Sequence, residues 1–255
     1  NLRRLTAYSL HHYYGDDSGD PSALLGHVAA ATARLAASYI AAGFVHGVLN
    51  SDNIAITAQS FDYGPWRWTP YWDGAFTAAY FDHAGLYSFA RQPEAIHWDL
   101  VQLARALTAV AEPALLTAEL EAFPALFQAA LRDAIFARLG ILPGDLTRDM
   151  ILVNAIEQAL ARQEVMIDRF FFDARGGKPP EGYEGFDEVR GMLAGYAAAP
   201  GARDHDYWSD AGPCSMHIEE VESIWAAIDQ HDDWAPLNAK IAAVRRMGEA
   251  LRANA

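Results

Sequence analysis

The sequence changes character once, and that change limits what it can fold into. On either side of residues 44–91 apolar residues recur at helical spacing, and within that window they do not. Leu24, Leu25, Val28, Leu35, Tyr39 and Ile40 form one stripe between Pro21 and Gly43, a glycine suited to ending a helix. The alanines of this stretch favour helix and permit close packing. From Phe44 to Asp62 the chain breaks into short apolar pieces separated by polar turns, with short strands expected at Ile54–Ile56 and Ser60–Phe61. Gly64-Pro65 interrupts any regular element beyond them. Trp66 to Arg91 is aromatic and irregular, and reads as large rings packed into a core under a long loop.

Helical spacing also marks Leu2, Leu5, Tyr8 and Leu10. It resumes at Pro93, well placed for a first helical turn, with Ile96, Leu100, Leu103, Ala104 and Leu107 on the buried side. Further helices are expected near 116–139, 146–162, 163–173, 185–196, 216–229 and 236–252. Gly140 and Gly176 mark breaks, and 178–185 and 200–213 read as loops. In the tail, Ile218, Val221, Ile224, Trp225 and Ile228 form an apolar face read as internal core, with a partner groove as the alternative. The expected fold is mainly α with a small β region.

Length and composition narrow the function classes. With 255 residues, 52% of them hydrophobic, the chain has enough for one sizeable core or two modest domains. A net charge of −14 disfavours non-specific nucleic-acid binding, which needs a basic face. The same acidity is compatible with Mg²⁺, which prefers carboxylate oxygens. Cys214 is the single cysteine, so no intrachain disulfide or cysteine-rich zinc site can form. This fits a reducing compartment, and a cytoplasmic location is expected. No apolar run is read as membrane-spanning and no signal peptide is recognised. The chain begins at Asn1, not Met, and enters helical spacing almost at once. It reads as a fragment or processed product of a longer protein.

The chemistry concentrates in His46-Gly-Val-Leu-Asn-Ser-Asp-Asn53 and Phe61-Asp-Tyr-Gly-Pro65. Asn53 and Asp62 stand nine residues apart, and a hairpin of that length can bring them face to face. An amide oxygen and a carboxylate are both hard ligands, and Mg²⁺ fills its remaining positions with water and phosphate oxygens. Asp52 can accept a proton from an attacking hydroxyl or cap its own turn; both readings stand. Asn50 can also cap the turn. His46 is expected to bond a backbone carbonyl and hold the loop. Gly47 and Gly64 are expected to permit close approach or positive φ, and Tyr63 to pack or position the loop.

This pattern is similar to the catalytic loop and metal-binding turn of protein kinases. Val48 stands where kinases carry the loop Asp, which argues against ordinary γ-phosphoryl transfer. A longer run resembles the selenoprotein O family: Gly43 to Asn53, Phe61 to Pro65, Tyr71-Trp-Asp-Gly-Ala-Phe76, Asp82 to Phe89, Gln92-Pro93 and Trp98 to Leu107. The resemblance implies a protein-kinase-like C-lobe over residues 1–175, with 176–255 a divergent helical region packed on the same domain. It implies AMP transfer from ATP, with Mg²⁺ or Mn²⁺, to Ser, Thr or Tyr hydroxyls of protein substrates. By position, Asn53 and Asp62 look like the metal-holding and nucleotide-binding residues and Asp52 like the catalytic one. His46, Gly47, Tyr63 and Gly64 look like supporting residues.

The sequence also departs from that family. Leu86 replaces a usual Arg, Ala79-Tyr80 a usual Asn-His pair, and Asp99 a usual Asn. The glycine-rich loop and the Lys–Glu pair of an N-terminal lobe are not found in this chain, nor is the family's C-terminal redox motif. The chain by itself is therefore expected to be incomplete. Two alternatives remain: a truncated or degenerate pseudoenzyme keeping its fold and weak nucleotide binding, and a kinase-like phosphotransferase. No nucleic-acid or membrane partner is expected.

Overall fold

The structure is a computed structural model that describes residues 1–252. Helix α1 (Leu2–Ser9) runs into a π-helical turn, Leu10–Tyr14, and is followed by α2 (Pro21–Ala42). Two short strands, β1 (Phe44–Val45) and β2 (Arg67–Trp68), pair as a two-stranded sheet. The remaining helices are α3 (Gln92–Leu107), α4 (Pro113–Leu139), α5 (Leu146–Leu160), α6 (Ile167–Asp173), α7 (Asp187–Leu193), α8 (Ile218–His231) and α9 (Ala235–Arg252). The fold is mainly helical with a minor β region, as the spacing of apolar residues implies. The chain divides into two compact units.

The first unit holds residues 1–40, 45–66 and 74–131. Its core is the inner stripe of α2, with Leu24, Leu25, Val28, Ala29, Ala33, Ala36 and Ala37 all buried, and the stripe of α3, with Ile96, Leu100, Ala104 and Leu107. The small side chains of α2 admit close neighbours along its length. Between these helices in sequence lies the segment that carries the candidate site.

The second unit holds residues 41–44, 67–73 and those from 132 onward. The Thr69 N–H donates to the Gly43 carbonyl (2.8 Å) and the Ile167 N–H to the Pro70 carbonyl (2.9 Å). Its core includes Phe136, Leu139, Leu152, Ile156, Leu160, Phe170, Phe171, Phe186 and Leu193. Asp145 caps α5 by accepting from the Thr147 and Arg148 amides. Asp149 is fully buried, and its carboxylate is paired with Arg132 (2.8 Å), the Gly144 N–H (2.9 Å) and the Tyr196 hydroxyl (3.0 Å).

The largest fully buried side chain is Arg175. Its guanidinium donates to the carbonyls of Ala137 (2.5 Å), Arg138 (3.0 Å) and Ala202 (2.9 Å) and lies 4.6 Å from the Trp208 ring centroid. Ala137 and Arg138 belong to the last turn of α4, where free carbonyls and the negative end of the helix dipole favour a cation. Burial, then repulsion from Arg138 and Arg203, brings its pKa down to about 10, which leaves it charged at neutral pH.

Several expectations need correction. Ile54–Ile56 and Ser60–Phe61 are not ladder strands but a single antiparallel bridge, Ile54 to Ser60, because the connection turns back within a few residues. Of the rings between Trp66 and Arg91, Trp72 and Phe89 are buried, whereas Tyr80 is 90% exposed and Phe81 51% exposed. Helix α8 buries none of its residues, and Trp225 is 62% exposed. Its apolar face is half-buried at best. Among the described residues two helices, α2 and α4, are long and apolar enough to cross a membrane. Their alanine-rich composition hides this from a search for runs of large apolar residues. Core helices pass the same test, and 61% of the α2 window is buried inside the protein.

Gly140, at φ +62°, is closely enclosed, since an added Cβ would lie 2.8 Å from the Arg175 guanidinium and 3.0 Å from the Ala202 side chain. Gly140→Ala is expected to lower stability by about 2 kcal/mol or more through left-handed strain and overpacking. A thermal melt followed by circular dichroism reads this out, and an unchanged midpoint would refute it.

Candidate functional site

The site is built in the first unit from one turn, one hairpin and one buried histidine. The Asn53 N–H donates to the Asn50 carbonyl (2.9 Å), closing a turn with Ser51 and Asp52 at its apex. This geometry separates neighbours: Asp52 is exposed and Asn53 is buried, at 7% exposure. The Phe61 N–H then donates to the Asn53 carbonyl (3.1 Å) and the Ala55 N–H to the Gln59 carbonyl (2.8 Å). The resulting hairpin returns the chain to Asn53 with Asp62 immediately beyond the closing bond. Asn53 and Asp62, nine residues apart in sequence, therefore flank one hairpin base.

The donor set at that base is oxygen-rich. The Asn53 side-chain nitrogen donates to the Val48 carbonyl (3.0 Å), which leaves its Oδ1 as the free acceptor. Asp62 is exposed, and its carboxylate forms no hydrogen bond or ion pair with any described residue. Its backbone sits at φ +58°, a left-handed conformation that Asp tolerates better than most residues but that still carries strain. Such strain concentrates at functional sites. One amide oxygen and one carboxylate fit a hard cation that keeps water or phosphate oxygens for its other positions. Among the described residues no group of three or more His, Cys, Asp or Glu side chains is arranged to hold a metal ion.

His46 fixes the hairpin from beneath. It is fully buried, its N–H donates to the Gln92 side-chain oxygen (3.0 Å), and its Nε2 bonds the Phe61 carbonyl (2.9 Å). The Val48 N–H approaches Nδ1 at 3.4 Å. These partners require the tautomer with the proton on Nε2. Burial lowers the His46 pKa, against the opposing effects of the Phe61 carbonyl and the Asp62 charge. The ring is therefore a neutral strut and not a proton shuttle.

Gly47, at φ +86°, is also obligatory, because a Cβ would lie 2.8 Å from the Pro65 ring and 3.1 Å from the Ala78 side chain. Gly64 has neither requirement: its φ is not positive and a Cβ would meet nothing. Tyr63 lies with its ring centroid 5.1 Å from that of His46, and its hydroxyl bonds the Ser60 carbonyl (2.8 Å) and hydroxyl (2.7 Å). Tyr39 bonds the same Ser60 hydroxyl, and burial pushes its phenol up to about 12.

Three contributors lie outside the motif. Gln92 was legible only as part of Gln92-Pro93, without a role. Tyr87 donates to the Asn50 side-chain oxygen (2.5 Å) and so ties the following loop to the turn that carries Asp52. That loop is braced by the Asp82 carboxylate, which accepts from the Leu86 and Tyr87 amides at 2.8 Å each. Asp99, on α3, has both carboxylate oxygens shielded from solvent and without a hydrogen-bond partner. Burial first, then the charge of Asp52, raises its pKa to about 7. The sequence signal for Asp99 is an acid set between Ile96 and Leu100 in an apolar stripe.

Comparison with known proteins identifies the relatives of this chain. The family model described as protein adenylyltransferase SelO matches residues 1–194. A protein nucleotidyltransferase YdiU of Gloeobacter violaceus is 32% identical over 269 aligned residues, which take in 96% of this chain and 55% of that protein. One from Synechocystis is 31% identical over 256, covering 89% and 54%. One from Pseudomonas aeruginosa is 36% identical over 183, covering 71% and 37%. The chain spans about half the length of the curated relatives it matches most extensively.

The raised pKa of Asp99 has a stability consequence with a definite sign. A folded-state value near 7 against an ordinary value of 3.8 means that the folded form holds this proton more tightly. The associated stability is fully present below about pH 4 and is lost as pH rises through about 7. Asp99→Asn removes this titration. Its melting midpoint, compared with wild type, is expected to gain steadily from pH 4 to 7 and then level off, at about 2–4 °C per kcal/mol. A gap independent of pH would show that Asp99 titrates normally.

Proposed function

The chain belongs to the SelO protein adenylyltransferase family, and from that premise we propose that it supplies the metal-and-nucleotide half of a protein AMP-transfer site. The observation that supports the reading is the hairpin bond from the Phe61 N–H to the Asn53 carbonyl, which brings the backbone of Asn53 and Asp62 to one hairpin base. Asn53 and Asp62 would hold the cation that accompanies ATP. Mg²⁺, or Mn²⁺ in its place, supplies neutralisation of phosphate charge and of the departing pyrophosphate. Residues 1–175 are read as the kinase-like lobe that carries this chemistry.

The chain's own residues divide the remaining work. Asp52, exposed at the apex of the turn, takes the proton of an acceptor Ser, Thr or Tyr hydroxyl. That oxygen then bonds the α-phosphorus of ATP, the bond to the β-phosphate oxygen breaks, and pyrophosphate leaves. His46, uncharged and bonded to the Phe61 carbonyl, keeps Asp62 at the hairpin base. Tyr87 holds Asn50 and so the turn that presents Asp52. Val48 supplies only backbone groups where a kinase would place its acid, which disfavours γ-phosphoryl transfer. The reading takes ATP and proteins as substrates, in the cytoplasm, within a longer polypeptide.

A silent member of the family, which keeps the fold and binds nucleotide weakly, is the second reading. Leu86 and Asp99 favour it, because each stands where the resemblance expects a different polar group. Product analysis of the longer protein separates the readings. AMP on protein with pyrophosphate released supports transfer, neither product supports the silent form, and ADP release supports a phosphotransferase.

The half-site can be tested in this chain. Asp62→Gly should relieve left-handed strain and raise stability by about 1 kcal/mol. It should also remove Mg²⁺-dependent ATP binding in a calorimetric titration, and Asn53→Ala should weaken the same binding by tenfold or more, on the order of one lost charge-assisted contact. Unchanged Mg²⁺–ATP affinity in both variants would remove the metal roles proposed for these residues.

A further inference from the structure

A cavity of ≈ 300 Å³ lies in the first unit, lined by Val28 and Thr32 of α2, by Ser51 and Ile54 to Ile56 of the turn and hairpin, and by α3. That volume stands at the small end of ligand pockets, about 300–1,000 Å³. From α3 come Ile96, Leu100 and Leu103, which are apolar, and Gln102 and Asp99, which are not. Neither Asn53 nor Asp62 lines it. The cavity is thus an aliphatic chamber with one acid in its wall.

Asp99 is the unexplained group. Both of its oxygens are shielded and without a partner, whereas the fully buried Asp149 of the other unit has three. A buried carboxylate without a partner is costly, and it escapes that cost by holding a proton or by meeting a cation. The groups that face it offer no cation: Asp52 is an acid, the Tyr87 phenol lies close enough to feel the Asp99 charge, and α2 presents Val28 and Thr32. Because the side chain makes no hydrogen bond, turning its oxygens into the chamber breaks none.

We propose that this chamber binds a small molecule consisting of an aliphatic body and one protonated amine, the ammonium pairing with Asp99 and the body filling the space between α2, the hairpin and α3. Val28, Ile54, Ile56 and Leu103 supply the apolar wall, and the Thr32 and Ser51 hydroxyls are acceptors for further N–H donors. The site is independent of the nucleotide reading, and its test needs no nucleotide.

The probe is n-pentylammonium, titrated into this chain with methyl NMR detection, beside its neutral counterpart 1-pentanol. Saturable shifts are expected at the methyls of Val28, Ile54, Ile56 and Leu103. The ammonium should bind on the order of tenfold or more tightly than the alcohol, the scale of one charge-assisted hydrogen bond. Asp99→Asn, which keeps the side-chain shape, should abolish that preference. Leu103→Trp, with Asp99 intact, should block both probes by filling the chamber. Equal affinity for the alcohol, full ammonium affinity in Asp99→Asn, binding that survives Leu103→Trp, or no shifts at all would each overturn the proposal.

Discussion

The hydrogen bond from the Phe61 amide to the Asn53 carbonyl is the contact on which the candidate site depends. It closes the hairpin and sets the start of one motif against the end of the other. His46 secures the same point from the opposite side, by bonding the Phe61 carbonyl. One residue thus has its N–H committed to the hairpin and its carbonyl to a buried imidazole. The next residue, Asp62, has little freedom left and takes a left-handed backbone. Asn53 is constrained in the same way, because its side-chain nitrogen is used on Val48 and its oxygen is presented. The backbone at both residues is thus set by hydrogen bonding within the hairpin.

The two units treat buried charge in opposite ways. Arg175 is held by carbonyls at the end of α4, the Ala202 carbonyl and the face of Trp208, which stabilise its cation. The Asp149 carboxylate is held by Arg132, the Gly144 N–H and the Tyr196 hydroxyl. Asp99 is the exception, a carboxyl with no donor beside a cavity and near a second acid. Where stability alone shapes a buried charge, partners accumulate around it. At Asp99 they are absent.

Legibility in the sequence followed the strength of local physics. Helices α2, α3, α5 and α9 were readable because long apolar stripes, alanine, Pro93 and Gly43 all point one way over many residues. The strands were not, because two-residue ladders leave no periodic signature, and the pairing of Gly43 with Thr69 crosses a long gap in sequence. The start of α6 was misplaced by four residues, at 163 instead of Ile167, because the turn before it, with Gln163 at φ +60°, carries no proline or glycine. The aromatic segment misled because ring content predicts burial only on average. Tyr80 and Phe81 lie on a loop whose shape is set by Asp82 and not by its rings.

The sequence by itself determined the helical class, the acidic surface and the presence of hard oxygen donors at hairpin spacing, since each follows from local periodicity or a count of charges. Only the tertiary structure decided that Asn53 turns inward while Asp52 turns out. A closed turn separates neighbours that a linear motif cannot distinguish. It also decided that Gly47 is required and Gly64 is not, because that depends on what a methyl would strike. The roles of Gln92, Tyr87 and Asp99 were beyond the sequence for the same reason. Each acts across 37 or more residues on a partner or neighbour that chain folding alone brings near.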